Sequence, residues 1–361
     1  MGYLSTSIVM KSQIIRLLND WYQEIRVQHV IKAGELKKEI DSKIYNIEED
    51  QEILIYYSLL SFRYKMLIGE VDSRKTNINS ISERTDTFLQ YYFYFFEFIY
   101  AMELGNYCNA KKHYKLAESL LASIPDEAEK AEFNYRVSLF HYCISQPTLA
   151  ISYALKAQNF FGKSLGYEVK TAACKNTLGV CCIALGQYEL AEEYLVSAMN
   201  TFTNLKEEQL IIKVRCNLCL LYAEQKFSEL AIQQLINSFE EIEKDYKTIF
   251  LLASEYSKLK KFKEASRYIE KGLKICNREY EYHFNILKAL NEEMPIEELE
   301  VIIEEAIQYF KEQNLWIEVK KYAERLAIQY FDVANEKKAI QYFYLSYEAR
   351  KIIQQKEGVY V

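Results

Sequence analysis

Pairs of small residues seven positions apart recur along this chain at intervals near 40 residues. They are Ala110/Ala117, Ala150/Ala157, Ala191/Ala198, Ala231/Ser238, Ala265/Gly272, Leu299/Ala306 and Ala339/Ser346. The intervals between first members are 40, 41, 40, 34, 34 and 40 residues. Seven residues make about two helical turns, so each pair lies on one face of one helix. Small side chains are needed there because successive helices of a stacked helix–turn–helix array approach closest at that face. The third unit is clearest, with Leu178-Gly179 on its first helix and Gly186-Gln187-Tyr188 at the turn. The fifth matches through Leu252-Ala253, Tyr256 and Phe262. In the fourth, Phe227 sits one place off the turn aromatic, and the sixth puts Leu299 where a small residue belongs.

The pattern is that of about seven tetratricopeptide-like repeats over residues 88–361. Such repeats wind into a right-handed superhelix whose concave groove more often binds peptide than catalyses. Composition agrees: 10 Gly and 3 Pro in 361 residues starve β-turns, while 31 Tyr and 19 Phe supply a long continuous core. The expected class is all-α. The net charge of −6 is dispersed, which argues against a nucleic-acid partner. No apolar run reaches the ~18 residues of a membrane span and no secretory signal opens the chain, so no membrane partner and a cytoplasmic location are expected. The eight Cys sit within apolar helical runs, as buried thiols do in a reducing compartment. Cys216 and Cys219 form a CxxC without a βαβ context and read as core. His29, His113, His141 and His283 make no metal-binding spacing, with Cys143 beside His141 the nearest approach, and no nucleophile elbow, P-loop or dinucleotide fingerprint is present.

Residues 1–69 read as a three-helix bundle, with helices over about 8–28, 30–45 and a third ending near Gly69. The polar stretch after it, 70–87, reads as a hinge. The third helix opens on Glu48-Glu49-Asp50-Gln51, and carboxylates suit the positive end of a helix dipole. Leu54, Tyr57, Ser58, Ser61 and Phe62 follow at i+3 and i+4 steps, making one face adhesive. Gln51 shares roughly that face, as a neutral amide beside apolar anchors. In the repeats, groove-facing positions on the first helices include Glu132, Tyr135, Asn176, Lys213, Phe250 and Ser254, with Asn217 at the groove edge. An Asn carboxamide can pair with one N–H and one C=O of an extended peptide, or with local partners instead.

A three-helix bundle, a polar hinge and seven such repeats resemble the Rap family, the response regulator aspartate phosphatases inhibited by short secreted Phr peptides. The resemblance is closest over Glu48–Gln51 and Leu54–Arg63; Leu17-Leu18-Asn19-Asp20-Trp21-Tyr22 and the tail from Leu345 to Val361 are also similar. It implies that Gln51 orients the water that attacks a regulator's aspartyl phosphate, with Glu49, Asp50, Leu54 and Phe62 contacting the regulator. Asn217 would hold the peptide backbone, with Asn176, Tyr135, Lys213 and Phe250 beside it in the groove. No residue here is matched to the family Asp that receives the peptide's basic residue. The protein needs no cofactor of its own on this reading, since Mg²⁺ is expected on the regulator. The implied role is a cytosolic phosphatase, in a sporulation phosphorelay, switched off by peptide. Two other readings stay open: a non-catalytic member that sequesters a regulator's DNA-binding domain, and a repeat adaptor without a peptide switch.

Overall fold

The computed structural model describes residues 2–47, 50–70, 86–236 and 245–357. Over these residues the chain is helical: α1 (Gly2–Arg26), α2 (Val30–Lys43), α3 (Gln51–Leu67), α4 (Thr87–Glu103), α5 (Tyr107–Leu120) and α6 (Glu127–Cys143) come first. They are followed by α7 (Pro147–Phe161), α8 (Glu168–Ala184), α9 (Tyr188–Leu205), α10 (Glu208–Glu224) and α11 (Ser228–Ile236). The series ends with α12 (Tyr246–Lys258), α13 (Phe262–Leu273), α14 (Arg278–Asn291), α15 (Ile296–Glu312), α16 (Trp316–Asp332) and α17 (Glu336–Glu357). Most of the expected hinge, residues 71–85, lies outside the described residues, as do Glu48, Glu49 and Ser238.

By packing, the chain forms two compact units. One comprises residues 1–103 and 109–133, the other residues 104–108 and 134–361. By this packing α4 belongs with the N-terminal helices. Its aromatic run Tyr91, Tyr92, Phe95, Phe96 and Phe98 is buried in the first unit. Tyr22 of α1 meets Tyr92 edge-on at 5.3 Å, and Tyr56 of α3 meets Phe88 at 5.4 Å.

The small-residue register is the packing register. Ala110, Ala117, Ala150, Ala157, Ala191, Ala198, Ala231, Ala265 and Ala306 are fully buried. Leu299 is buried too, so the sixth unit accommodates the larger side chain. In the second unit, Ala191, Leu195, Ala198 and Phe202 of α9 share a core with Ala172 of α8 and Val214 and Leu218 of α10. The scarcity of Gly is met at the turns by other residues in the left-handed region, among them Ser145, Lys226, Lys260 and Asn314. Asn tolerates that region; Ser and Lys pay a steric cost that the stacked helices offset.

Gly272 carries the tightest constraint. A methyl group added there would lie 2.0 Å from Cζ of Phe284 on α14. Gly272→Ala is therefore expected to destabilise the protein by about 1–3 kcal/mol through overpacking. A lower urea midpoint would show it; an unchanged midpoint would mean that Phe284 moves aside freely.

Candidate functional site

The third helix starts where a capping side chain allows. Asp50 is the N-cap, and its carboxylate accepts from the Ile53 amide at 3.3 Å, satisfying one of the orphan donors of the first turn. Lys11 of α1 pairs with the same carboxylate at 2.7 Å. That hydrogen bond holds the Asp50 carboxyl below its ordinary range. Asp50 is thereby an ionised, fixed cap, a pairing that the acidic run alone did not disclose. Gln51 follows as the first helical residue, and its side chain is exposed. A carboxamide here is neutral, points to solvent and stands on a backbone pinned by the cap. Leu54, one turn on, is half-buried.

Past that first turn, one side of α3 is buried while Ser58 and Lys65 stay exposed. Ile53, Tyr56, Leu59, Leu60, Phe62, Arg63 and Met66 are all buried. Trp21 of α1 lies 6.0 Å from the Tyr57 ring and 5.7 Å from the Tyr64 ring. On the other side, Phe62 packs edge-on against Tyr100 of α4 at 5.3 Å and is 4% exposed. Phe62, expected among the regulator contacts, is thus buried in this structure. Of the expected adhesive face, Phe62 meets α4, Tyr57 turns toward Trp21 of α1 and Asp41 of α2, and Ser58 stays exposed, so Phe62 is core of the first unit.

The groove residues separate likewise. Asn217 of α10 donates from Nδ2 to Oδ1 of Asn176 on α8 at 2.7 Å, so equivalent faces of neighbouring repeats are bridged by an amide pair. Both residues are half-buried, and each carboxamide keeps further hydrogen-bonding capacity. Tyr135 of α6 carries the Lys170 ammonium 5.3 Å from its ring centroid. Lys213 is exposed. Phe250 of α12 belongs partly to the core, against Tyr280 at 5.7 Å and Phe284 at 5.3 Å. Glu132 is buried at 2% exposure in the first unit. Within the second unit, Tyr107 donates to Glu279 at 3.0 Å. Cys219 is buried, and Cys216 lies 2.7 Å from Thr248 Oγ1 with its thiol pushed up to about 11 by burial. The CxxC is core and its thiols are inert at neutral pH. His141 is also core, bonded to Gln146 at 2.8 Å and stacked on Tyr153.

Residues 8–69, which hold Asp50, Gln51, Leu54 and Phe62, match the family model described as response regulator aspartate phosphatase H, N terminal. Regulatory protein RapK of Bacillus subtilis (strain 168) is 30% identical, over 78% of this chain and 80% of its own length. This chain belongs to the Rap family. Response regulator aspartate phosphatase I of the same organism is 29% identical across 95% of this Rap chain and 92% of that one. The crystal structure of a Rap protein complexed with competence and sporulation factor shares the fold. Its TM-score is 0.83 at 23% identity, covering 95% of this chain and 99% of that one. The repeat architecture read from the small residues is thus the Rap architecture. Among the described residues of this Rap protein, no helix is long and apolar enough to cross a membrane.

Proposed function

We propose that this Rap protein is a response regulator aspartate phosphatase that a short peptide switches off, in the cytoplasm and in a sporulation phosphorelay. The observation that carries the reading is Gln51: an exposed neutral amide on the capped first turn of α3, within the span shared with the phosphatase family model. An acyl phosphate is already activated, so its hydrolysis needs little beyond a positioned water and charge stabilisation. The regulator would supply Mg²⁺ and the acidic pocket; Gln51 would accept a hydrogen bond from water and aim its oxygen at phosphorus. The P–O bond to the aspartyl carboxyl then breaks and inorganic phosphate leaves. A carboxylate at position 51 would be repelled by the phosphoryl oxygens.

In this arrangement the first turn of α3, with exposed Gln51 and half-buried Leu54, is accessible, whereas Phe62 is covered. Full regulator contact through Leu54 and Phe62 therefore requires the N-terminal helices to leave α4. Peptide in the groove would favour the docked arrangement shown here and so oppose regulator binding. The groove chemistry supports this: the Asn176–Asn217 pair offers free amide valences to an extended backbone. The related Rap protein crystallised with competence and sporulation factor has the same fold.

Asn217→Ala is expected to keep dephosphorylation within a few-fold of wild type while raising the half-inhibitory concentration of the cognate peptide ~10-fold or more. A backbone group of the bound peptide left without its partner costs about 1–3 kcal/mol, and 1.4 kcal/mol is tenfold. Loss of basal activity in this variant would contradict the groove assignment. A regulator that binds but keeps its phosphate would instead favour sequestration of its DNA-binding domain.

A further inference from the structure

A buried ionic cluster joins α1 to the repeats within the first unit. Glu129 of α6 is 0% exposed and Arg26 of α1 is 2% exposed. Tyr22 of α1 and Tyr91 of α4 each donate to Glu129 Oε1 at 3.0 Å. Arg26 Nη1 reaches Glu129 Oε2 at 3.3 Å and Asp126 Oδ2 at 2.9 Å, while Nη2 donates to Gln23 at 2.6 Å. Tyr22 and Arg26 are one turn apart on α1, so a single helix face delivers both donors. The partners are about 100 residues distant in sequence, and no motif announces them.

The physics of such a cluster is particular. Burying a guanidinium and a carboxylate costs roughly what their attraction returns, so the intact cluster adds little net stability. Removing one partner, however, strands the other charge and is strongly unfavourable. A cluster of this kind specifies one docked geometry without making it irreversible. Apolar packing such as Phe62 on Tyr100 supplies adhesion, but adhesion alone does not set registry.

We propose that the Arg26–Glu129 cluster, with Tyr22 and Tyr91, is the lock that holds the N-terminal three-helix bundle on the repeats and thereby keeps α3 covered. This rests on the reading that α3 engages a regulator only when undocked. Undocking rehydrates both charges, so the lock opens at small net cost and closes in one register.

The cluster also makes docking depend on pH. Burial pushes the Glu129 carboxyl up to about 7, with Glu132 adding to the shift and Arg26 and the tyrosine hydroxyls opposing it. The groups facing it are Tyr22 and Arg26 on α1, Tyr91 and Tyr92 on α4, Asp126 just before α6, Glu132 on α6, and Tyr56 on α3. In the undocked state the carboxyl returns to its ordinary range near 4.5. The docked state then holds more proton between those values. Docking is strongest below the ordinary range and weakens by up to about tenfold per pH unit as pH rises toward 7.

The test is amide hydrogen exchange of α4 in the full-length protein, which reports docking without regulator or peptide, so a failed phosphatase assay leaves it standing. Arg26→Met at pH 8 should speed exchange of α4 amides ~10-fold or more, because the stranded carboxylate favours the open form. The double variant Arg26→Met/Glu129→Met should return exchange to near the wild-type rate. Unchanged exchange in the single variant, or no recovery in the double, overturns the proposal. Should Arg26→Met lose its helical circular dichroism, wild type and Glu129→Gln decide between pH 5.5 and 7.5. Docking that weakens with pH in wild type and not in Glu129→Gln supports the lock; the same profile in both overturns it.

Discussion

Replacing Gln51 by alanine is expected to lower the rate of regulator dephosphorylation by ~10²-fold or more, the usual cost of losing one preorganised polar group at a reacting centre. Binding of the phosphorylated regulator should change only several-fold. The separation follows from position. Gln51 is exposed on the first turn of α3 and packs into no core, so the substitution leaves the helix and its Asp50 cap in place. Alanine is also a better helix former than glutamine, which removes unfolding as an explanation. Single-turnover decay of the labelled regulator at saturating phosphatase isolates the chemical step from binding. Near-normal decay would remove Gln51 from the chemistry.

Phe62→Ala is expected to destabilise the protein by about 3–5 kcal/mol, the cost of deleting a buried aromatic ring together with the cavity it leaves. The ring is 4% exposed and meets Tyr100 of α4 edge-on at 5.3 Å. Typical domains have only ~5–15 kcal/mol of stability, so the loss is large. Thermal or urea unfolding followed by circular dichroism would show it directly. A shift below ~0.5 kcal/mol, the range for surface substitutions, would mean that Phe62 stands at the surface after all. Because the lost contact belongs to the docked form, the variant should also resist peptide inhibition.

These two residues mark how far the sequence could be read. The repeat register was legible because close helix approach admits only small side chains, and Ala191, Ala198 and their counterparts are indeed buried. Gln51 stood out because a neutral amide follows an acidic capping run. Phe62 was legible as adhesive but not as covered. Helical periodicity shows that a face must be buried, yet it is silent on whether the cover is another protein or the chain's own α4. Asn176 and Asn217 were picked out separately, and their mutual hydrogen bond needed the superhelix to bring two repeats together. The Arg26–Glu129 cluster had no sequence signal at all. Its members are common surface residue types, scattered over three helices and joined only by the tertiary fold.

Docking and chemistry are tied through one helix. The turn that carries Gln51 is accessible while Phe62 is covered, so on the proposed function a regulator would meet the amide first and Phe62 only after α3 is released. A ligand can shift that equilibrium only by its differential affinity for the two arrangements, and about 3 kcal/mol would change the ratio by ~10²-fold. The low net cost of opening an ionic lock places such a shift within reach of a short peptide.

The most direct measurement incubates the wild-type protein with a set of receiver domains carrying labelled aspartyl phosphate and follows release of inorganic phosphate. The account predicts rapid release from at least one receiver with wild type and release at the receiver's own rate with Gln51→Ala. Equal release by the two proteins, or protection of the label in a stable complex with wild type, would contradict it.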